Sequence, residues 1–157
     1  MDSTLACLAA WMPRQRWYAA KGRLPSLRLA AWWDLPAADA TVRTFLIADE
    51  GALPTVLYQI PVVARATASV DAHPDHLIGS PEPGTTFIDG PFDPAYTSAL
   101  LRLIMEGGEA TGPGTVVVGH PAGPRPDVIP RTATVLAGEQ SNTSLIYGAD
   151  EAGTPCR

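Results

Sequence analysis

The chain has 157 residues, of which 46 % are hydrophobic, and this suits one ordinary domain or two small units that share an interface. Its formal net charge of −5 and the lack of a broad basic face argue against nucleic acid as the main ligand. No apolar run reaches the ~18 residues of a transmembrane helix. The acidic start "MDSTLACLAAW" is unlike a signal peptide, and Cys7 and Cys156 form no CxxC pair, so the sequence predicts a cytoplasmic protein with reduced thiols and no membrane partner.

The first predicted element is a helix at the start of the chain. Apolar residues from Leu5 to Met12 recur at the spacing of one helix face. Ser3 is predicted to be the N-cap, and Pro13 is predicted to stop the helix. A basic and aromatic segment, "RQRWYAAKGR", comes next, and Gly22 permits a turn within it.

Three strands are predicted after this turn, separated by segments rich in turn-forming residues. They are rich in Val, Ile, Leu and aromatic residues, and they span Ser26–Leu35, Thr41–Asp49 and Pro54–Arg65. The connection "DEGA" suits a hairpin, so the second and third strands are predicted to be antiparallel neighbours. Pro61 has no N–H to donate, which places it at a sheet edge or a bulge. A helix followed by an antiparallel meander predicts an α+β fold, with a curved sheet packed on the helix.

Another hairpin and a second helix complete the first predicted unit. The segments His76–Ser80 and Thr85–Gly90 have the pattern of short strands joined by "PEPG", and they could extend the same sheet. Asp93 is the predicted N-cap of the second helix, with Pro94 at its first position. Gly107 is predicted to end that helix.

The chain changes character after the second helix, where proline and glycine become frequent. We place a boundary here, between a unit of residues 1–107 and a unit of residues 108–157. The second unit is too small to bury a core of its own, so it is predicted to pack on the first unit or on something outside this chain. Its predicted strands are Thr115–Val118, Ala133–Leu136 and Leu145–Tyr147.

Common catalytic and metal-binding motifs are missing from the sequence, which has no GxxxxGK[ST], GxSxG, HExxH or CxxC. The segment "HPDH" (His73–His76) has two imidazoles and a carboxylate, but no second ligand cluster accompanies it, and we interpret it as a polar turn. We therefore assign no catalytic residue and no metal ligand.

Two aromatic segments have both a functional and a structural interpretation. The segment Arg14–Arg23 could bind an anion through its charges and stacking faces, or its aromatic residues could seal the helix against the sheet. We favour the structural interpretation. Trp32 and Trp33 are consecutive in a predicted strand, so one is expected in the core and the other at an interface.

A polar loop separates the last two predicted strands. Hydroxyls, side-chain amides and backbone N–H groups in such a loop can bind phosphate. The glycine-rich loop of protein kinases covers ATP in this way, between two antiparallel strands. Composition alone favours a plain hairpin turn. The residues of the loop are Glu139, Gln140, Ser141, Asn142, Thr143 and Ser144.

Two segments of the chain resemble a known family. In order and separation, "WMPRQRWYAAKGR" (Trp11–Arg23) and "EQSNTSLIYG" (Glu139–Gly148) resemble segments of actinobacterial maltokinases and the related glucosamine kinases. The segment "DGPFDPAY" (Asp89–Tyr96) resembles the family more weakly.

The resemblance implies a bilobal kinase of the aminoglycoside-phosphotransferase type. Its N-terminal cap subdomain has a cystatin-like shape, with a helix on a curved antiparallel sheet, and precedes the small-lobe sheet. The loop Glu139–Ser144 is then expected to cover ATP, with ATP and magnesium as cofactors. The acceptor is then maltose, which gives maltose 1-phosphate, or glucosamine, which gives the 6-phosphate.

The chain departs from the family pattern at the lysine expected after the loop. The only lysine is Lys21, far upstream, and no catalytic lobe rich in aspartate follows. Phosphoryl transfer requires such charges to stabilise its transition state. The sequence therefore predicts a cap and the beginning of a kinase small lobe, inactive alone, with an open sheet edge beyond residue 148 that favours self-association.

Two alternatives stay open. The chain could be a stand-alone α+β interaction module without catalysis, which docks a partner through Trp32 or Trp33 and the segment Arg14–Arg23. By family analogy, the cap could instead tether the kinase to another enzyme of glucan metabolism, such as a trehalose synthase.

Overall fold

The computed structural model describes residues 1–124, 132–136 and 142–148. Its largest element is an antiparallel sheet of five strands in the order β1-β2-β3-β5-β4, preceded by one helix and followed by another. The α+β fold predicted from the sequence is therefore confirmed. The elements in chain order are α1 (Asp2–Trp11), β1 (Leu27–Leu35), β2 (Thr41–Asp49), β3 (Val56–Ala66), β4 (Leu77–Glu82), β5 (Thr85–Asp89), α2 (Pro94–Glu106), β6 (Glu109–Gly112), β7 (Thr115–Val118), β8 (Ala133–Val135) and β9 (Leu145–Tyr147). Short 3-10 turns span Met12–Arg14, Thr67–Ser69, Pro74–His76 and Gly90–Phe92.

The sheet has a hydrophobic core on each face, because successive side chains of a strand point to opposite sides. On β3, Val62 belongs to the core cluster that contains Leu8 and Trp11 of α1, whereas Val63 belongs to the cluster that contains Tyr96 of α2. The two helices therefore cover opposite faces of one sheet. No helix among the described residues is long and apolar enough to cross a bilayer.

The predicted hairpins pair as expected. Strands β2 and β3 are antiparallel neighbours from Thr41↔Ala64 to Asp49↔Val56, and β4 pairs with β5 in the same sheet. Pro61 lies opposite Thr44 of β2, just beyond the last β3–β5 pair, Val62↔Asp89. Pro61 is thus paired with β2 on one side and lies at a sheet edge on the other, which suits a residue without an N–H group.

The caps of α2 agree with the prediction and that of α1 does not. The Asp93 carboxylate accepts a 2.8 Å hydrogen bond from the Ala95 N–H, and Gly107 ends the helix at φ 62°. Helix α1 begins earlier, at Asp2, so Ser3 lies inside it and the predicted Ser3 N-cap is wrong. Its N-cap is Met1, two residues before Ser3, and the Leu5 N–H donates the first helical hydrogen bond to the Met1 carbonyl. Met1 is exposed, so water can satisfy the leading N–H groups.

Strand β6 was not predicted from the sequence. It pairs with β7 from Glu109↔Val118 to Gly112↔Thr115, and the hairpin lies against β1. A Cβ at Gly112 would overlap the Trp32 carbonyl oxygen, so a glycine permits this approach. The hairpin thus packs on the first unit, one of the two possibilities left open by the sequence, while the boundary at residue 107 stays a prediction.

The two adjacent tryptophans both contribute to the sheet. Trp33 is 7 % exposed and belongs to the core under α2. Trp32 packs against the core under α1, and the Arg43 guanidinium carbon lies 3.7 Å from its ring centroid. Trp33 is therefore a core residue, while Trp32 is partly buried beneath Arg43, and the docking of a partner through these residues stays a prediction.

Candidate functional site

Strand β3 has β2 along one side, but its other side is paired with β5 for only about half of its length. Strand β5 pairs with Val62–Ala66 alone, so the first half of β3 is paired only with β2. Pro61 ends the β3–β5 ladder because it has no N–H group. Immediately after β5, Gly90 turns the chain close over Pro61, and a Cβ at Gly90 would lie 2.8 Å from the Pro61 Cβ. The result is a notch in the sheet where β5 ends.

A cleft of about 410 Å³ lies at this notch. Trp17 and Tyr58 line it from the side of the basic and aromatic segment. Asn142 and Thr143, from the polar loop, line it from the other side. The two sequence segments that carry the family resemblance therefore meet at one cavity, although they lie more than a hundred residues apart. Its volume is in the range of small-molecule sites, ~300–1,000 Å³.

The aromatic wall is held by packing and hydrogen bonds to the sheet. The rings of Trp17 and Tyr18 lie 5.5 Å and 5.6 Å from the Tyr58 ring, between centroids. The Ala19 N–H donates to the Tyr58 hydroxyl over 3.1 Å. The Lys21 ammonium donates to the carbonyls of Pro13 and Gln15. The predicted role of Trp17 and Tyr18 in sealing α1 against the sheet is confirmed, and Lys21 holds the turn of its own segment.

A fully buried carboxylate fixes the same segment to the β2–β3 hairpin. Asp49 is 0 % exposed, and its Oδ2 accepts a 2.6 Å hydrogen bond from the Tyr18 hydroxyl. Its Oδ1 accepts hydrogen bonds of 3.0 Å from the N–H groups of Ser26 and Gly51. Burial, followed by the hydrogen bond to Asp49, raises the pKa of Tyr18. With three donors on its two oxygens, Asp49 meets the requirement that buried charge be hydrogen-bonded.

The loop side of the cleft is joined to α2. Strands β8 and β9 pair as an antiparallel hairpin, as predicted. The Leu136 N–H donates a 2.9 Å hydrogen bond to the Ser144 carbonyl. The Tyr147 hydroxyl donates a 2.8 Å hydrogen bond to the carbonyl of Thr97 in α2. Burial raises the pKa of Tyr147 to about 12, so this phenol stays protonated as a donor at neutral pH.

One buried carboxyl lines the cleft and was not assigned from the sequence. Asp89, the last residue of β5, is 9 % exposed, and no described residue donates a hydrogen bond to its side chain. Burial raises its pKa to about 7. The Trp11 indole Nε1, on another lining residue, also has no partner among the described residues. The sequence signal for Asp89 is a carboxylate that ends an apolar strand, "TTFID".

The polar loop is described in part. Asn142 and Thr143 line the cleft, and Ser144 continues into the hairpin. The predicted site residues Glu139, Gln140 and Ser141 lie outside the described residues. The structure therefore brings two of the six predicted residues to the cavity, and their contact with a nucleotide stays a prediction.

The segment His73–His76 forms a 3-10 turn, consistent with its interpretation as a polar turn. The His73 Nδ1 accepts a 3.3 Å hydrogen bond from the Asp75 N–H, and the His76 ring stacks on Phe92 at 3.8 Å between centroids. Burial, with the neighbouring His73, lowers the pKa of His76. Across the described part of the chain, no group of three His, Cys, Asp or Glu side chains has an arrangement that could hold a metal ion.

The N-terminal half of the chain matches a known protein family. Residues 11–93 match the family model of the maltokinase N-terminal cap domain. The matched region covers more than half of the 157 residues. It begins at Trp11, includes the basic and aromatic segment and all five strands of the large sheet, and ends at Asp93, the N-cap of α2. Asn142 and Thr143 lie beyond it.

Proposed function

Because this chain belongs to the maltokinase N-terminal cap domain family, we propose that it is the N-terminal part of an ATP-dependent sugar kinase. The match over residues 11–93 is the observation that carries the proposal. The sugar is maltose, which yields maltose 1-phosphate, or glucosamine, which yields the 6-phosphate. In either reaction a sugar hydroxyl oxygen attacks the γ-phosphorus, the bond to the β-phosphate oxygen breaks, ADP leaves, and the hydroxyl proton passes to a general base.

The polar loop is the part of this chain that we assign to ATP. Asn142 and Thr143 lie between two paired strands, β8 and β9, as the phosphate-binding loop of a kinase does. Side-chain amides, hydroxyls and backbone N–H groups supply donors there without a cation. Magnesium bound with ATP would offset the charge of the phosphates. Among the described residues, no group of three His, Cys, Asp or Glu side chains is arranged to hold the metal ion.

By itself, this chain has no lysine beside the loop that we assign to ATP. Its single lysine, Lys21, donates to two local carbonyls, so it is not placed to contact the phosphates of ATP. We propose that the chain alone binds nucleotide weakly and transfers no phosphoryl group, since the loop lacks the charges that the transition state requires.

The test is phosphoryl transfer by the full gene product that contains this sequence. ADP release is measured with maltose, with glucosamine and with no sugar, beside the same assay on residues 1–157. We expect turnover by the gene product with one of the two sugars and none by the shorter chain. If the gene product releases ADP with neither sugar, the assigned reaction is wrong, and if residues 1–157 turn over, the proposed incompleteness is wrong.

The loop assignment is tested by variants of that gene product. Replacing Asn142 or Thr143 by alanine should raise the KM for ATP about tenfold, because a hydrogen bond to a charged group is lost. Thr134→Ala, an exposed threonine of the neighbouring strand β8, is the matched control and should leave this KM unchanged. Unchanged KM values in both loop variants would exclude these side chains as phosphate contacts.

We further propose that the β8–β9 hairpin allows self-association, since a two-stranded sheet has unpaired edges. Light scattering after size-exclusion chromatography of residues 1–157 tests this. We expect a dimer whose fraction increases with concentration, and a monomer at all concentrations would contradict the proposal.

A further inference from the structure

The cleft at the notch is lined by a largely buried carboxyl group, Asp89, to which no described side chain or N–H group donates. Asp89 is 9 % exposed. Buried polar side chains in native proteins nearly always have a partner. The other buried carboxylate of this sheet, Asp49, has three donors. The difference indicates that the partner of Asp89 comes from a molecule in the cleft.

The charge of the cleft selects the kind of molecule. Among the described residues that line it, Asp89 is the one charged side chain, and none is Lys, Arg or His. A phosphate or carboxylate ligand would place a second negative charge beside an uncompensated one. The low polarity around Asp89 favours a cation or a strong neutral donor instead.

The other walls suit an organic cation. Trp17, Tyr58 and Tyr96 offer aromatic rings, and ring faces attract ammonium groups through their quadrupoles. Gln59 offers a side-chain amide that can pair with a polar group elsewhere on the ligand. A volume of about 410 Å³ holds a small molecule.

We propose that this cleft binds the protonated amino group of a small organic molecule, with the Asp89 carboxylate as its counter-ion. The ammonium group donates to Asp89, and the aromatic rings pack around the carbon attached to the nitrogen. The amine site depends on Asp89 and the aromatic wall, whereas the assignment of the loop to ATP depends on Asn142 and Thr143, so the two proposals fail or hold separately.

The first test compares two probes that differ in charge and are alike in size. Benzylamine and benzyl alcohol are titrated into residues 1–157 at pH 8, with calorimetry and tryptophan fluorescence as readouts, since Trp17 lines the cleft. We expect the amine to bind at least tenfold more tightly than the alcohol. Equal affinities, or no binding of the amine, would overturn the proposal.

Variants assign the preference to Asp89. Asp89→Asn keeps the shape and removes the charge, and it should abolish the preference for the amine. Asp75→Asn is the matched control: it removes the same charge from a side chain that is 85 % exposed and lies outside the lining, and it should leave the preference unchanged. Retention of the preference in Asp89→Asn would assign the amine to another site and overturn the proposal.

The pH dependence of the unmodified chain provides a readout that needs no variant. Benzylamine stays protonated from pH 6 to pH 8, whereas the raised pKa of Asp89, about 7, lies within that range. The other titratable groups that line the cleft in the described part of the chain are the phenols Tyr58 and Tyr96, and burial raises the pKa of Tyr96. Amine affinity should therefore fall about tenfold from pH 8 to pH 6. Benzyl alcohol should show no such change, and a flat profile for the amine contradicts the assignment to Asp89.

Discussion

The Tyr18 hydroxyl donates a 2.6 Å hydrogen bond to the Asp49 carboxylate across 31 positions of sequence, and both residues are almost fully buried. This contact connects the basic and aromatic segment after α1 to the end of β2. It therefore fixes the wall of the cleft to which Trp17 belongs. Hydrogen bonds to buried charged groups stabilise proteins by ~1.5–3 kcal/mol.

The first prediction concerns this pair. Tyr18→Phe should lower the free energy of unfolding by about 2 kcal/mol, because Asp49 loses its only side-chain donor among the described residues. The phenylalanine ring keeps the packing of the tyrosine ring. Chemical denaturation measures the change. A double-mutant cycle with Asp49→Asn should give a coupling of at least ~1 kcal/mol, and additive effects would show that the two groups do not interact.

The second prediction concerns the two roles of Asp93. Its carboxylate accepts hydrogen bonds of 2.8 Å and 2.9 Å from the Arg65 guanidinium and also caps α2 through the Ala95 N–H. Asp93→Ala removes both interactions and should cost about 3 kcal/mol of unfolding free energy, since the Arg65 charge, 22 % exposed, is left unpaired. Asp93→Asn keeps a good N-cap residue, so it should cost less than alanine. Equal losses would show that the cap contributes nothing.

Protonation of Asp93 is expected to reduce the stability of the protein in acid. Burial tends to raise the pKa of Asp93, but the hydrogen bonds from Arg65 and Ala95 and the charge of Arg65 hold it below its usual value. A carboxyl whose pKa is depressed by folding stabilises the protein above its unfolded pKa, ~3.9, and this contribution is lost as the pH falls through the folded value. Unfolding measured from pH 5 downwards should show a steeper loss in the wild type than in Asp93→Asn.

The third prediction concerns Asp89, whose effect on stability changes with pH in the opposite direction to that of Asp93. Its pKa rises on folding to about 7, so the folded chain binds a proton that the unfolded chain releases between about pH 4 and pH 7. The stabilising contribution is present below pH 4 and is lost as the pH rises through 7, and the full cost of ionisation is about 4 kcal/mol. Asp89→Asn should therefore be more stable than the wild type at pH 8, in the absence of ligand. A variant that is equally stable at pH 8 would show that the carboxyl is solvated or paired.

The fourth prediction concerns the turn that forms the notch. A Cβ at Gly90 would lie 2.8 Å from the Pro61 Cβ and 3.0 Å from the Tyr96 Cγ. Gly90→Ala should cost about 2 kcal/mol of unfolding free energy, because both neighbours are part of the packed interior. Gly123→Ala is the matched control, since nothing lies within 4 Å of a Cβ there, and thermal unfolding should be unchanged. Equal melting temperatures for Gly90→Ala and the wild type would mean that the turn relaxes without strain.

Local sequence signals identified most of the fold. The hairpin of β2 and β3 follows from two β-rich runs around "DEGALP", and the ends of α2 follow from Asp93, Pro94 and Gly107. Strand β6 escaped prediction because "EATG" has little strand propensity, and it exists through its pairing with β7 and its contact with β1. The predicted N-terminus of α1 was wrong because serine is a preferred N-cap residue, whereas this helix begins at Asp2 without a side-chain cap.

The sequence by itself determined the α+β class, the antiparallel hairpins, the caps of α2 and, through its two characteristic segments, the family that the match over residues 11–93 shows. These depend on neighbouring residues, whose spacing can be read along the chain. The tertiary structure alone decided that Trp17, Asp89 and Asn142 line one cleft, because they come from separate parts of the chain and meet where Pro61 ends a ladder. The chemistry of Asp89 was likewise undecided by sequence, since the cost of a carboxylate depends on how much water folding leaves around it.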